Sequence, residues 1–255
     1  MGFRRANGHS SFGLRHCLLI LVLAVATVLL SGCETPNAMT VALRTPYKPD
    51  DIFIAGGKLP GEIKRVAVLP LACDARQTDL AAGRDALEPV LFAELVKTKR
   101  FEVIQVSREE LWRLTGRADW SGVEVLPANM LDSLKKESGC DAVLFCELTE
   151  FRAYAPLAVG WRLKLVDVRQ RKTLWAGDEH FDAGNPAVLA GARLYQRHGQ
   201  VVLDDDSGGW LAVNSPRWFG EYSIGSLLGT LPAPWSNNNE SESPTGHLYS
   251  TGQAR

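Results

Sequence analysis

The sequence has no surplus of positive charge, only one long apolar run and none of the common catalytic signatures. Its 28 Lys and Arg face 29 Asp and Glu, so the basic surface expected of a nucleic-acid binder is missing. No GxSxG elbow, HExxH pair, phosphate-binding loop or CxxC is present, which leaves acyl transfer on a nucleophile elbow, zinc peptidase, P-loop and dithiol chemistry without their usual residues. Histidine is scarce, five in all, and lacks the spacing to cysteine or carboxylate that a zinc site needs. Asp204-Asp205-Asp206-Ser207-Gly208-Gly209 is rich in oxygen donors but lacks the alternating spacing and closing glutamate of a calcium loop, and reads as a solvated loop. No fixed-period repeat is apparent. The expectation is a protein that is not an enzyme, with no metal and no cofactor.

The single apolar run is residues 17–30, preceded by Arg4, Arg5 and Arg15. Its 14 residues fall short of the roughly 20 that cross a bilayer. A positive head followed by such a core is the layout of a secretory leader. The core ends in Leu30-Ser31-Gly32-Cys33, a tetrad that resembles the lipobox of bacterial lipoproteins. That resemblance implies cleavage between Gly32 and Cys33, a diacylglycerol on the Cys33 thiol and an acyl group on its new amine. It also implies outer-membrane sorting, since Glu34 rather than aspartate follows. Several acyl chains, each contributing about 0.8 kcal/mol per buried CH₂, make a firm anchor. Loss of the leader leaves 25 basic and 29 acidic groups, a formal charge of −4.

The expected organisation is a signal peptide (1–32), a lipidated cysteine with a Pro-rich tether (33–61), one α/β domain (62–232) and a disordered tail (233–255) rich in Asn, Ser and Gly. As a coil the tether would span ~30 Å and, stretched, ~90 Å. Order should begin at KRVAVLPL (64–71), a near-continuous apolar strand. Thr78 is placed to cap a helix with a Leu80, Leu87, Leu91 and Leu95 stripe, which Pro89 would kink or divide. A strand at 101–106 precedes a helix capped by Ser107, and Pro127 opens another ending by Gly139. Strands follow at 141–151, 157–168 and 173–181, the last two forming an antiparallel hairpin. In the middle one Trp161, Leu163 and Leu165 share one face, Arg162 and Lys164 the other. Helices at 186–198 and 215–231 complete the domain.

Three stretches now stand in order: KRVAVLPL, GCDAVLFCELTEF and WRLKLVDVRQRKTLWAG. Their succession resembles the superfamily of bacterial lipoproteins that includes the curli secretion channel protein CsgG, the penicillin-binding-protein activator LpoB and the flagellar assembly lipoproteins. Asp141 to Leu144, Leu163 to Val168 and Trp175 match its core-strand patterns. Cys146 departs where glycine is common, and Gln170-Arg171 replaces the usual Thr-Gly turn. The resemblance implies an α/β sandwich of two or three layers, with a mixed sheet and helices mainly on one side, ending in an antiparallel hairpin.

The function this points to is a lipid-anchored protein at the outer membrane, facing the periplasm, that binds or assembles an envelope machine. Its partners would be the membrane, through the anchor, and envelope proteins, with a homo-oligomer left open. A subunit of a CsgG-like secretion channel and an enzyme with an unrecognised site stand as alternatives. The 151–157 connection is too short to add the membrane strands of a barrel. Trp218, Phe219, Tyr222, Leu227 and Leu228 should dock the last helix on the sheet. The sharper alternative makes Trp210, Trp218 and Tyr222 a partner surface. Cys73, Cys140 and Cys146 allow one disulfide in an oxidising compartment but leave one thiol over, and read as buried and unpaired.

Overall fold

The computed structural model describes residues 47–199 and 214–234. These form a six-stranded mixed sheet with the strand order β1-β6-β5-β4-β2-β3. The strands are β1 (Ile52–Ile54), β2 (Arg65–Val68), β3 (Glu102–Gln105), β4 (Ala142–Arg152), β5 (Ala158–Asp167) and β6 (Thr173–Asp182). β2 runs parallel to β3 and β4, while β4, β5, β6 and β1 are successively antiparallel. The helices are α1 (Thr78–Thr98), α2 (Arg108–Thr115), α3 (Met130–Ser138), α4 (Pro186–Gly199) and α5 (Pro216–Leu228). None of the described helices is long and apolar enough to cross a membrane.

Alternation in the strands sorts side chains onto two faces. One face sends Val66, Leu144, Cys146, Trp161, Leu163, Trp175 and Phe181 against α1, α4 and α5. The other packs Ala67, Val143, Phe145 and Val166 under Leu111 of α2 and Met130, Leu131 and Leu134 of α3. Helices therefore lie on both sides, the three longer ones on the first. The expected mixed α/β sandwich is present, with three layers over β2 to β4 and two where α2 and α3 stop. Helix α5 is buried on more than one side: Phe219, Tyr222, Ile224, Leu227 and Leu228 all lose nearly all contact with solvent. Gly220 lets it approach α1 so closely that a Cβ there would collide with Leu87.

Local chemistry sets several boundaries. Ser107 caps α2 by accepting from the Glu110 amide at 3.1 Å, and Pro216 occupies the first turn of α5 behind a Ser215 cap. Thr78 is not a cap: α1 starts on it, with Gln77 at the N-cap making no side-chain bond. Pro89 lies within a continuous α1, on its exposed side. Pro127 sits ahead of α3, its carbonyl accepting from the Met130 amide at 3.0 Å. The β5–β6 turn closes without glycine. Asp167 Oδ1 accepts from the amides of Arg169 at 2.7 Å and Gln170 at 3.0 Å, and Arg171 takes the left-handed conformation at φ 53°.

The ordered fold begins earlier than the sequence indicates. Residues 47–61 were expected to belong to the tether, yet Ile52–Ile54 pair with β6 and Leu59 is buried against the segment after α5. A buried carboxylate holds this strap. Glu179, on the helix-covered face of β6, accepts from the Tyr47 hydroxyl at 2.5 Å and from the Asp50 and Asp51 amides at 2.5 and 2.8 Å. Three donors converging on one ionised group offset the cost of burying it. Burial, then the neighbouring Glu179, pushes the Tyr47 phenol above its ordinary range.

Candidate functional site

Where α2 and α3 stop, half of the second sheet face is open. Its side chains stand in cross-strand rows fixed by the register. The central row joins Glu147, Arg162 and Asp178, with Arg162 bonded to Asp178 at 2.6 Å and to Glu147 at 3.2 Å. Ser121 donates its hydroxyl to the same Glu147 carboxylate at 2.5 Å. In the next row Glu150 and His180 meet at 2.9 Å across Gly160, where a Cβ would strike Thr149. Arg152 and Asp182 follow at 3.1 Å across Ala158. Hydrogen bonding to Asp178, with its charge and that of Glu147, raises the Arg162 pKa further. Burial works to raise the Asp182 carboxyl, but the Gly184 amide and Arg152 outweigh it and hold it below its ordinary range.

At the opposite end of these rows the face deepens into a cleft of about 370 Å³. Ala176 is its floor, between Lys164 on β5 and Phe53 on β1. Gly122 and Val123 form a wall, tied to the sheet where Lys164 Nζ donates to the Gly122 carbonyl at 2.9 Å. Asp51, Arg162, Thr173 and Asp178 supply the polar lining. A cleft of this size, apolar with a few placed polar groups, is of the kind that takes a small ligand or an inserted side chain. Phe53 is 53% exposed and Val123 is 67% exposed.

The expected site residues fall elsewhere. Gly32, Cys33 and Trp210 lie outside the described residues. Trp218 is half-buried, and Tyr222 is only 3% exposed, ringed by Phe181, Tyr195 and Phe219. Tyr222 is therefore core and not part of a partner surface, because α5 packs against helices as well as the sheet. Among the described residues the well-exposed aromatics are Phe53, Trp112 and Tyr154. Cys73, Cys140 and Cys146 are free, the last two buried and Cys73 half-buried, and burial pushes all three thiols up. The motif residue Asp141 accepts from the Lys64 and Arg65 amides at 3.1 Å, and Trp175 is buried with its indole donating to Thr230 at 3.0 Å. Both act in the fold. Among the described residues no cluster of three His, Cys, Asp or Glu is placed to hold a metal ion. Arg162 and Lys164 were legible as an outward pair. Their partners on β4 and β6 were not, although the same two-residue alternation marks them.

No protein-family model matches the chain, and no curated protein matches it. Solved structures share a similar chain trace. A PelC dodecamer from Paraburkholderia phytofirmans is 16% identical with a TM-score of 0.37, covering 71% of this chain and 97% of that one. Lipoprotein GNA1162 from Neisseria meningitidis is 19% identical at a TM-score of 0.34, covering 54% and 99%. The LpoB C-terminal domain from Salmonella enterica is 13% identical at 0.31, covering 46% and 82%. LpoB is among the proteins whose strand motifs this sequence resembles. At these values the likeness is one of chain trace and carries no activity across.

Proposed function

We propose that this protein is a lipid-anchored periplasmic factor that docks onto, or helps to assemble, a larger machine at the outer membrane. The uncovered half of its sheet is then the docking surface. Leader, lipobox and Glu34 support the anchor and its destination. The observation that carries the docking role is the open face itself, where Glu150, Arg152, Arg162, Asp178, His180 and Asp182 stand in ordered rows without a covering helix, next to Glu147 under Ser121. Patterned charge of both signs gives orientation and partner choice more than raw affinity, and the exposed Tyr154 beyond the last row is a suitable aromatic anchor. We read this as binding rather than catalysis, because these titratable groups are tied to one another in ion pairs.

The partner should lie close to the anchoring membrane. Only thirteen residues separate Cys33 from Tyr47, a link of at most ~50 Å. The test places a benzoylphenylalanine crosslinker at Tyr154 or His180, with Trp112 on α2 as control. One discrete crosslinked species from the first two positions and none from the control is expected. Crosslinks from Trp112 alone would move the interface to α2 and defeat the assignment. Palmitate labelling of the wild type but not of Cys33→Ala checks the anchor independently.

A further inference from the structure

The two edges of the sheet are finished differently. At the β3 edge Glu102 and Gln105 bring polar groups, and Glu102 pairs with Arg65 at 3.4 Å, as edges guarded against other chains usually are. β1 is entirely apolar over Ile52–Ile54, with Phe53 half exposed on the open face and Ile54 nearly as exposed on the other. Val123 faces Phe53 across the cleft, and Val125, two residues further along the same loop, is 94% exposed. Lys164 stands on the far side of Ala176 from Phe53, with its Nζ on the Gly122 carbonyl.

Chain length indicates what covers this edge. β1 begins five residues after Tyr47, and Tyr47 is pinned to Glu179. A link of thirteen residues to Cys33 reaches at most ~50 Å. The bilayer that holds the acyl groups is thus a surface kept near β1 at high effective concentration, so a contact too weak to act alone suffices. We infer that the β1 edge rests on the bilayer of its own anchor, with Phe53, Ile54, Val123 and Val125 in the headgroup layer. This rests on the lipoprotein reading above. Aromatic and aliphatic side chains suit that interface.

The experiment uses the full acylated chain in nanodiscs of phosphatidylethanolamine and phosphatidylglycerol that carry a headgroup nitroxide. An environment-sensitive fluorophore is attached through azidophenylalanine at Phe53, Val123, Trp112 or Tyr154, all exposed positions. Quenching at 53 and 123 at least twofold stronger than at 112 and 154 is expected, and a Phe53→Ser exchange should reduce it at 123. Equal quenching at all four positions, with the protein held in the discs, would overturn the membrane-facing edge and leave the anchor intact. Wild-type chain that enters discs no better than Cys33→Ser would overturn anchor and edge together. A protein crosslink from a benzoylphenylalanine at position 53 in cells would show a protein interface there, and would also overturn the proposal.

Discussion

The two faces of β5 meet very different surroundings. On one, Trp161, Leu163 and Leu165 are almost wholly buried beneath α1, α4 and α5. On the other, Arg162 and Lys164 stand in an ionic row and a cleft wall, partly in solvent. Under the proposed function, neighbouring residues of one strand serve stability and recognition separately. Changes on one face should unfold the protein, while changes on the other should leave it folded and disturb what it binds.

The sharpest way to break the contrast is Trp161→Ala. It removes a buried indole and its bond to Ser223 at 2.8 Å, and should cost about 3–5 kcal/mol, read as a large fall in the urea midpoint. Glu179→Ala comes next. It leaves the Tyr47 hydroxyl and two amides without their acceptor, so a loss of about 2–3 kcal/mol is expected, with hydrogen exchange rising first around residues 47–54. Arg162→Met tests the opposite face. The pair is partly solvated, so a stability change of about 1 kcal/mol or less is expected, together with loss of the Tyr154 crosslink. A cost as large as that of Trp161→Ala would erase the distinction between faces.

The smaller effects refine the picture. Asp182 has a depressed carboxyl in the folded state, so its contribution is present above the unfolded value near pH 4 and is lost as pH falls through the folded one. Asp182→Asn should therefore lower the urea midpoint at pH 6 and differ less from wild type at pH 3. Arg171→Gly relieves a left-handed φ of 53° but gives up an ion pair to Asp132 at 2.8 Å. These oppose each other, leaving about 0.5 kcal/mol of net change in either direction, measurable as a small shift in Tm.

Much of this fold is legible locally. β2, β4, β5 and β6 show in two-residue alternation or continuous apolar runs, and α1 in its leucine stripe, because each pattern lies within one element. β1 was not legible. It has three residues between Asp51 and Ala55, and its partner lies 125 positions along, with Ile52 opposite Gly177. No local window contains that pairing. The open face was half legible: Arg162 and Lys164 announce an outward side, but matching Glu147 and Asp178 to Arg162 needs the strand register. The irregularity between Leu148 and Glu150 shifts that register again before the Glu150 row. Tyr222 misled for the converse reason, since a helix covered on several sides carries aromatics that single-stripe reasoning leaves free.

The clasp on Tyr47 also has a mechanical meaning. In an anchored chain, any pull between domain and membrane arrives at Tyr47, ahead of the three-residue edge strand that would peel most readily. Glu179 takes that load through three hydrogen bonds and passes it to β6, whose flanking residues Gly177 and Phe181 are buried in the main core. In such a chain the tether would be fastened to the frame of the domain and not to its hem, and the edge strand could stay short and apolar without having to bear tension.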